Sequence, residues 1–304
     1  YNAGNSITSG GNYNVVIGDE AGTAITTGDS NVAVGTYALD ANTTASDNTA
    51  IGYASLSANI TGTGNVASGF RALQFNTTAN NNTAVGFYAL YANTTGTRNT
   101  ALGNNSLDAN TTASDNTAVG SAALGLNTTG ANNVAIGSLA LDANTTASDN
   151  VAIGTLSLSS NTTGNLNVAV GGQSLKANTV GDRSVAIGYQ ALAAQNPSSN
   201  ADMYNTAAGY QAGNDVTTGV QNTLIGGLAG DALTDADYNT AIGFQTLSTD
   251  TLGSRSTAVG FEALRTQNFT SATDAYNTAL GFQAGAAVST GIRNTLIGGL
   301  AGDA

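Results

Sequence analysis

Several residue types that carry chemistry are missing from this sequence. It has no cysteine, histidine or tryptophan, and it has a single proline. Without histidine or cysteine, the Ser-His and Cys-His pairs that activate a nucleophile cannot be built. Only 9% of the residues are charged, and 19 acidic against seven basic residues give a net charge of −12. Because phosphate contacts need clustered Lys and Arg, we expect no nucleic-acid partner, and we expect no cofactor.

Long apolar runs are also missing. None approaches the roughly 18 residues of a membrane span, so we expect no membrane insertion in this segment. The chain begins at Tyr1 without an initiator methionine, and Ala301–Ala304 match Ala229–Ala232, which lead into a further repeat. We therefore expect a piece of a longer protein that continues beyond residue 304.

A five-residue motif with the pattern Asn-x-Ala-x-Gly dominates what is present. Asn31–Gly35 recurs at Asn48–Gly52 and 17 times in all, and the copies between residues 14 and 184 follow one another in ten equal steps. With the first motif residue as position 0, position 1 is Val or Thr and position 4 is Gly in every copy. Alternating aliphatic residues that end at a Gly indicate a short strand and a corner, not a helix. The period predicts an all-β parallel β-solenoid of about 17 stacked coils with about 17 residues per coil.

The second half of each coil shows an exchange between positions 8 and 11. In 12 coils position 8 is Leu and position 11 is polar, whereas in the coil of Gly213 the aliphatic residue is Val216, at position 11. One large apolar side chain per coil predicts that both positions face the interior. The predicted core residues are Val34, Ile51, Val85, Val119, Ile136 and Ile153 at position 3, with Leu39, Leu56, Leu73 and Leu90 at position 8. The predicted corner glycines are Gly35, Gly52, Gly86, Gly120 and Gly154.

Domain organisation and assembly follow from the same pattern. We expect a single solenoid over residues 1–304, uniform over 1–183. Residues 184–304 form a four-coil, 72-residue superrepeat, with 21-residue coils that start at Ser184 and Ser256 and carry protruding loops. Position 2 is nearly always Ala and lies opposite positions 1 and 3 on the strand. We expect this small-residue side to meet an identical chain, giving a homo-oligomer.

The motifs also carry a family resemblance. The repeated Asn-x-Ala-Ile/Val-Gly motif resembles the head repeat of trimeric autotransporter adhesins. The chain resembles the repeats of phage-type tail-fibre-domain proteins still more closely, and Phe87–Gly96 reproduce that pattern. The resemblance implies a left-handed parallel β-roll, a homotrimer and a role in surface attachment. The period here, which runs from Asn31 to Asn48, is longer than that of adhesin heads, which usually repeat at about every 14th position.

Each candidate site in the sequence also has a purely structural interpretation. Glu262 and Asp274 are the acids that a carbohydrate-active phage-type spike acting on surface polysaccharide could use, with solvated turn acids as the alternative. Aromatic residues recur at position 5, including Tyr53, Phe70, Phe87 and Tyr189, and could stack on a ligand or pack along the coils. Acid pairs such as Asp40 with Asp47 could bind calcium or be solvated.

Eight Asn-x-Thr sequons fall at position 11, beginning with Asn42, and could carry glycans or form an internal Asn ladder. Asn268, in an expected loop, is the better glycan candidate. A flat row of exposed threonines could bind ice or mineral, but Thr43 and Thr44 provide only a turn. From all this we expect a non-enzymatic, extracellular structural or adhesive fibre segment of a virion tail fibre or bacterial surface appendage. Its partners would be copies of itself and a host-surface glycan or protein receptor.

Overall fold

The computed structural model describes residues 2–303, and all regular structure in this range is β-strand. The chain is a parallel β-solenoid of about 17 coils, which confirms the predicted fold class. Within residues 2–303 there is no helix long and apolar enough to cross a bilayer. The chain divides into two compact units, Tyr1–Asp149 and Asn150–Ala304, which are described separately below. The single solenoid over 1–304 stays a prediction.

The first unit contains eight three-residue strands, each contributed by one coil. Neighbouring strands pair in parallel one repeat period apart, as Val32 with Thr49 and Ala33 with Ala50. Every coil therefore places the same position beside the same position of the next, as predicted from the repeat. The strands are β1 (Val15–Ile17), β2 (Val32–Val34), β3 (Thr49–Ile51), β4 (Val66–Ser68), β5 (Thr83–Val85), β6 (Thr100–Leu102), β7 (Thr117–Val119) and β8 (Val134–Ile136).

The second unit has nine such strands and two short additional pairs. The nine are β9 (Val151–Ile153), β10 (Val168–Val170), β12 (Val185–Ile187), β14 (Thr206–Ala208), β15 (Thr223–Ile225), β16 (Thr240–Ile242), β18 (Thr257–Val259), β20 (Thr278–Leu280) and β21 (Thr295–Ile297). The pairs are β11 (Gly181–Asp182) with β13 (Ala201–Asp202) and β17 (Gly253–Ser254) with β19 (Thr273–Asp274). Both pairs join a 21-residue coil to the coil before it.

The strands turn the opposite face inward from the one predicted. The position-2 alanines, such as Ala33 and Ala50, are completely buried. The position-3 residues predicted as core lie on the outer surface: Ile51 and Ile136 are 43% and 38% exposed, and the others are part-exposed. The corrected residues are Val34, Ile51, Val85, Val119, Ile136 and Ile153. Alternation puts positions 1 and 3 on one side of a strand but does not say which side is inside.

The interior is filled mainly from the other half of the coil. Leu39, Leu56, Leu73 and Leu90 at position 8 are completely buried, which confirms that part of the predicted core. These leucines leave room for only a methyl group at position 2, because interiors are close-packed.

The exchange between positions 8 and 11 is confirmed at Gly213, where position 8 has no side chain. A Cβ built on Gly213 would lie 2.6 Å from Leu224 Cδ1 and 3.4 Å from Val216 Cγ2. Leu224 occupies position 2 of the next coil, and Val216 occupies position 11. Large side chains at positions 2 and 11 thus occupy the space that a position-8 Leu fills elsewhere.

Two buried asparagine ladders run through the coils. At position 11, Asn59 Nδ2 donates to Asn42 Oδ1 (3.0 Å) and Asn76 Nδ2 donates to Asn59 Oδ1 (2.9 Å). At position 0, the backbone N–H of Asn48 donates to Asn31 Oδ1 (3.1 Å). Asn48 and Asn59 both donate to the carbonyl of Gly62, at 2.9 Å each. The predicted internal ladder is confirmed, and the motif asparagine adds a second one that the sequence analysis did not assign.

The corner at position 4 admits only glycine. Gly35 has φ 134°, and a Cβ there would lie 2.5 Å from the carbonyl oxygen of Gly52. The same geometry occurs at Gly52, Gly86, Gly120 and Gly154, which confirms the predicted corners. The backbone at positions 6, 8 and 16 also adopts the left-handed conformation although these residues carry side chains, as Tyr37 (φ 58°), Leu39 (φ 52°) and Asp47 (φ 61°) illustrate. The amino-acid composition does not predict left-handed backbone at residues other than glycine.

In each 21-residue coil, other side chains replace the asparagines that the two ladders have at positions 0 and 11. The first residue of these coils is Ser184 or Ser256, which is shorter than Asn, and their position 11 is the longer Gln195 or Gln267. Gln195 Nε2 lies 3.0 Å from Ser184 Oγ, and Asn205 Nδ2 donates to Gln195 Oε1 (3.0 Å). The extra residues have exposed tips at 198–200 and 270–272.

Candidate functional surface

An uncharged surface repeats along each unit on the outer face of the strands, formed by positions 1 and 3. None of the 17 coils has a charged residue at either position. Ile51 and Leu102 in the first unit are 43% and 46% exposed, and Ile187 and Leu280 in the second are comparably exposed. Threonine methyl groups and aliphatic side chains therefore line a strip that repeats with every coil. We call this strip the outer face.

Beyond the position-4 corner, the aromatic residues of position 5 stack on one another. In the first unit Tyr53, Phe70 and Phe87 lie with ring centroids 5.3 and 5.2 Å apart and interplanar angles of 13° and 12°. In the second unit Tyr189 stacks on Tyr210, and Phe244, Phe261 and Phe282 form a third ladder. Packing along the stack, the alternative raised for these residues, is confirmed. Because the rings cover each other's faces, the ladders present ring edges to solvent.

A second aromatic group lies beside the first ladder. Tyr88, at position 6, meets Phe87 edge-on (4.5 Å) and Tyr91 edge-on (4.8 Å), and Tyr91 in turn meets Phe75 (4.9 Å). Arg71 Nη1 donates to Tyr88 OH at 3.4 Å, and the Arg71 guanidinium lies 5.3 Å from the Phe70 ring centroid. We call Arg71, Gln74, Phe75, Tyr88, Tyr91 and Asn105 the Tyr88 patch.

Three polar atoms of the Tyr88 patch are buried without a hydrogen-bond partner among residues 2–303: Arg71 Nε, Gln74 Oε1 and Asn105 Oδ1. Buried polar atoms are nearly always paired, so three in one patch are unusual. The surrounding charge is also unusual for an acidic chain. No acidic residue occurs between Asp47 and Asp108, and the charged residues in that stretch are Arg71 and Arg98. Arg98 is paired with Asp115 (2.6 Å), whereas Arg71 has no acidic partner in the described chain.

The two acids considered for polysaccharide cleavage have separate partners. Glu262 lies 3.4 Å from Arg265 Nη1 and accepts a hydrogen bond from Gln283 Nε2 (2.8 Å). Asp274 is paired with Arg255 (2.8 Å) and accepts a hydrogen bond from Tyr276 OH (3.4 Å). They share no partner, and residues 2–303 enclose no pocket. Nothing in this arrangement brings them together as an acid pair.

Several aspartates at position 9 are half-buried. Burial raises the pKa of Asp40, Asp108 and Asp142. Burial, together with the charge of Asp215, raises the pKa of Asp231 to about 6. Asp47, by contrast, is exposed. Among the described residues, no three acidic side chains come close enough to form a metal site, so the calcium alternative finds no ligand set there.

The sequon asparagines of position 11 are completely buried, from Asn42 and Asn59 to Asn161. Attaching a glycan to them would require opening the coil. Asn268 is half-buried, and its Oδ1 lies 3.3 Å from Thr251 Oγ1. The neighbouring Phe269 is buried, so the exposed part of this loop begins at Thr270. Asn268 stays a prediction as a glycan site.

Sequence reasoning identified the position-5 ladder but missed the Tyr88 patch. The signal was present in the departures from the repeat: Tyr91 and Phe75 are the only aromatic residues at positions 9 and 10. The acid-free stretch around them was a second signal.

Comparison with protein-family models, with curated proteins and with solved structures finds no match to this chain. Its function is therefore argued from its own surfaces.

Proposed function

We propose that this chain is a non-catalytic structural and adhesive segment of an extracellular fibre, a virion tail fibre or a bacterial surface appendage. In this proposal three copies associate through the outer face, and the remaining surface is presented for attachment. The observation that carries the proposal is the uncharged outer face at positions 1 and 3. The corrected strand orientation changes which residues would meet the partner: bulky side chains, not alanines, are offered to it.

The size of the outer face supports a partner. Three strand residues extend about 10 Å and each coil advances about 4.8 Å, so the eight strands of the first unit expose on the order of 400 Å². An uncharged strip of this size matches the largest apolar patch of a typical monomer, and such patches are often functional. Exposed aliphatic area is unfavourable by roughly 25 cal/mol per Å² relative to burial. Association would remove that cost coil by coil.

A second copy is the partner that fits the outer face best. The surface repeats with the spacing of the coils, and an identical chain carries the same spacing with the same uncharged side chains. Closed symmetry lets each copy offer the same patch. Three copies are proposed because the repeat motif resembles that of trimeric adhesin heads. Repetition would also give attachment through many weak contacts at high effective concentration.

Native mass spectrometry and sedimentation of the chain test the assembly directly. The expected mass is three times that of the chain. Ile51→Lys and Ile136→Lys place charges on the outer face and should lower the mass to that of a monomer. Thr44→Lys and Thr129→Lys are the matched controls, because these exposed threonines lie at position 13, away from the outer face. A monomeric unmodified chain, or equal effects of both pairs, would refute association through this face.

A further inference from the structure

The Tyr88 patch breaks the rules that the other coils follow. In a solenoid each position is dictated by stacking on the coils before and after. Tyr91 and Phe75 occupy positions where other coils have small, polar or aliphatic residues, and neither is needed to fill the interior, which Leu73 and Leu90 already occupy. Their rings pack edge-on at the surface. Such residues are better explained by an external ligand than by coil packing.

We infer that the Tyr88 patch binds an acidic saccharide, one that carries carboxylate groups on its rings. This inference rests on the adhesive part of the proposed function and names its ligand class. The guanidinium of Arg71 would bind the carboxylate, and the rings of Tyr88, Tyr91 and Phe75 would contact the C–H faces of the sugars. The phenol groups and the amides of Gln74 and Asn105 would bind the hydroxyls.

The unpaired polar atoms point to a polyhydroxylated ligand. Arg71 Nε is a donor, whereas Gln74 Oε1 and Asn105 Oδ1 are acceptors. A hydroxyl group both donates and accepts, so neighbouring sugar hydroxyls can serve all three. These side chains are only part-buried, so small rotations would bring the atoms to the surface. Each rotation exchanges an unpaired buried atom for a hydrogen bond, which favours the bound state.

Local charge selects an acidic sugar over a neutral one. Arg71 is the unpaired cation of a stretch without acids, in a chain whose net charge is −12. A carboxylate that binds Arg71 forms a charge-assisted hydrogen bond, which is shorter and stronger than a neutral one. The acid that borders the patch, Asp108, lies beside Tyr91 in the next coil and is two coils away from Arg71. The patch covers parts of three coils, well below the roughly 800 Å² per partner of a stable protein interface. Its size therefore favours a few sugar rings over a protein partner.

The test measures binding of a galacturonic acid hexasaccharide and of its methyl-esterified form by calorimetry. The ester keeps the rings and removes the charge. We expect the acidic form to bind at least about tenfold more tightly, since a charge-assisted contact is lost in the ester. Arg71→Gln and Tyr88→Ala should each weaken binding of the acidic form by about tenfold or more.

Matched variants keep the outcome clear. Tyr210→Ala removes a ring outside the patch that is 54% exposed and stacks on Tyr189, and it should change binding less than about twofold. Tyr88→Phe keeps the packing of the ring and removes only its hydroxyl. It therefore distinguishes loss of a hydrogen bond to the sugar from misfolding of the coil. Equal affinity for the acid and the ester, no binding of either, or equal effects of Tyr88→Ala and Tyr210→Ala would overturn the inference. Native masses of the same samples report separately on the proposed assembly: a trimer without sugar binding rejects only this inference, and a sugar-binding monomer rejects only the trimer.

Discussion

Two adjacent glycines in the second unit should respond in opposite ways to the same substitution. Gly171 is a position-4 corner with φ 133°, and a Cβ on it would lie 2.4 Å from the carbonyl oxygen of Gly188 and 2.6 Å from its carbon. Gly172, the next residue, has no left-handed φ, and its added Cβ would lie 3.4 Å from Tyr189 Cδ2. That is an ordinary van der Waals contact.

The expected magnitudes follow from these distances. Gly171→Ala places a side chain in a backbone region that is almost exclusive to glycine, at a cost of about 1–3 kcal/mol. The obstructing atoms are backbone of the next coil, so relief requires displacing the parallel pairing, and the total should reach about 4 kcal/mol. Gly172→Ala should stabilise the fold by about 0.4–1 kcal/mol, because alanine restricts the unfolded chain more than glycine does.

Urea denaturation followed by circular dichroism measures both variants. Because repeat arrays can unfold in parts, hydrogen exchange of the peptide amides in residues 168–190 should accompany it. Protection in that segment should fall in Gly171→Ala and be retained in Gly172→Ala. Equal destabilisation by both substitutions would show that the corner geometry is not what constrains position 4.

Three further predictions concern the interior and its charges. Asn93→Ala should cost about 2–4 kcal/mol, because it leaves the buried Asn76 Oδ1 without the donor Asn93 Nδ2 and removes one of the two acceptors of Asn110 Nδ2. Thr95→Ala, at an exposed hydroxyl, should stay within about 0.5 kcal/mol by the same urea titration. Leu90→Gly should be no more destabilising than Leu90→Ala, since Leu90 has φ 51°, and a larger loss in the glycine variant would contradict the strain argument. Because the pKa of Asp231 is raised to about 6, the folded chain binds more protons than the unfolded chain between about pH 4 and 6, and stability falls as pH rises through that window. Asp231→Asn should make this slope shallower and add about 1 kcal/mol at pH 7.5, a figure reduced for solvent screening. Part of the slope should remain, because burial also raises the pKa of Asp40, Asp108 and Asp142; an unchanged slope in the variant would contradict the assignment to Asp231.

The repeat by itself determined the coil, its period, the corner glycines and the buried leucines. An exact recurrence of the motif fixes which residues become neighbours, so Val32 had to lie beside Thr49 once the strands paired in parallel. The exchange between a large side chain at position 8, such as Leu90, and one at position 11, such as Val216, likewise predicted that both positions face the interior. Close packing allows one large side chain there and not two. The polar position 11 was recognised as internal for the same reason.

Only the tertiary structure decided which strand face points inward. Alternation relates Ala50 to Ile51 but is symmetric between inside and outside, and the more hydrophobic side was the wrong choice for the interior. The leucines of position 8 come from the opposite half of the coil and leave space for a methyl group, so alanine is buried and isoleucine is exposed. The Tyr88 patch likewise depends on contacts between unlike positions, Tyr88 with Tyr91 and Tyr91 with Phe75, whereas the repeat period relates only like positions.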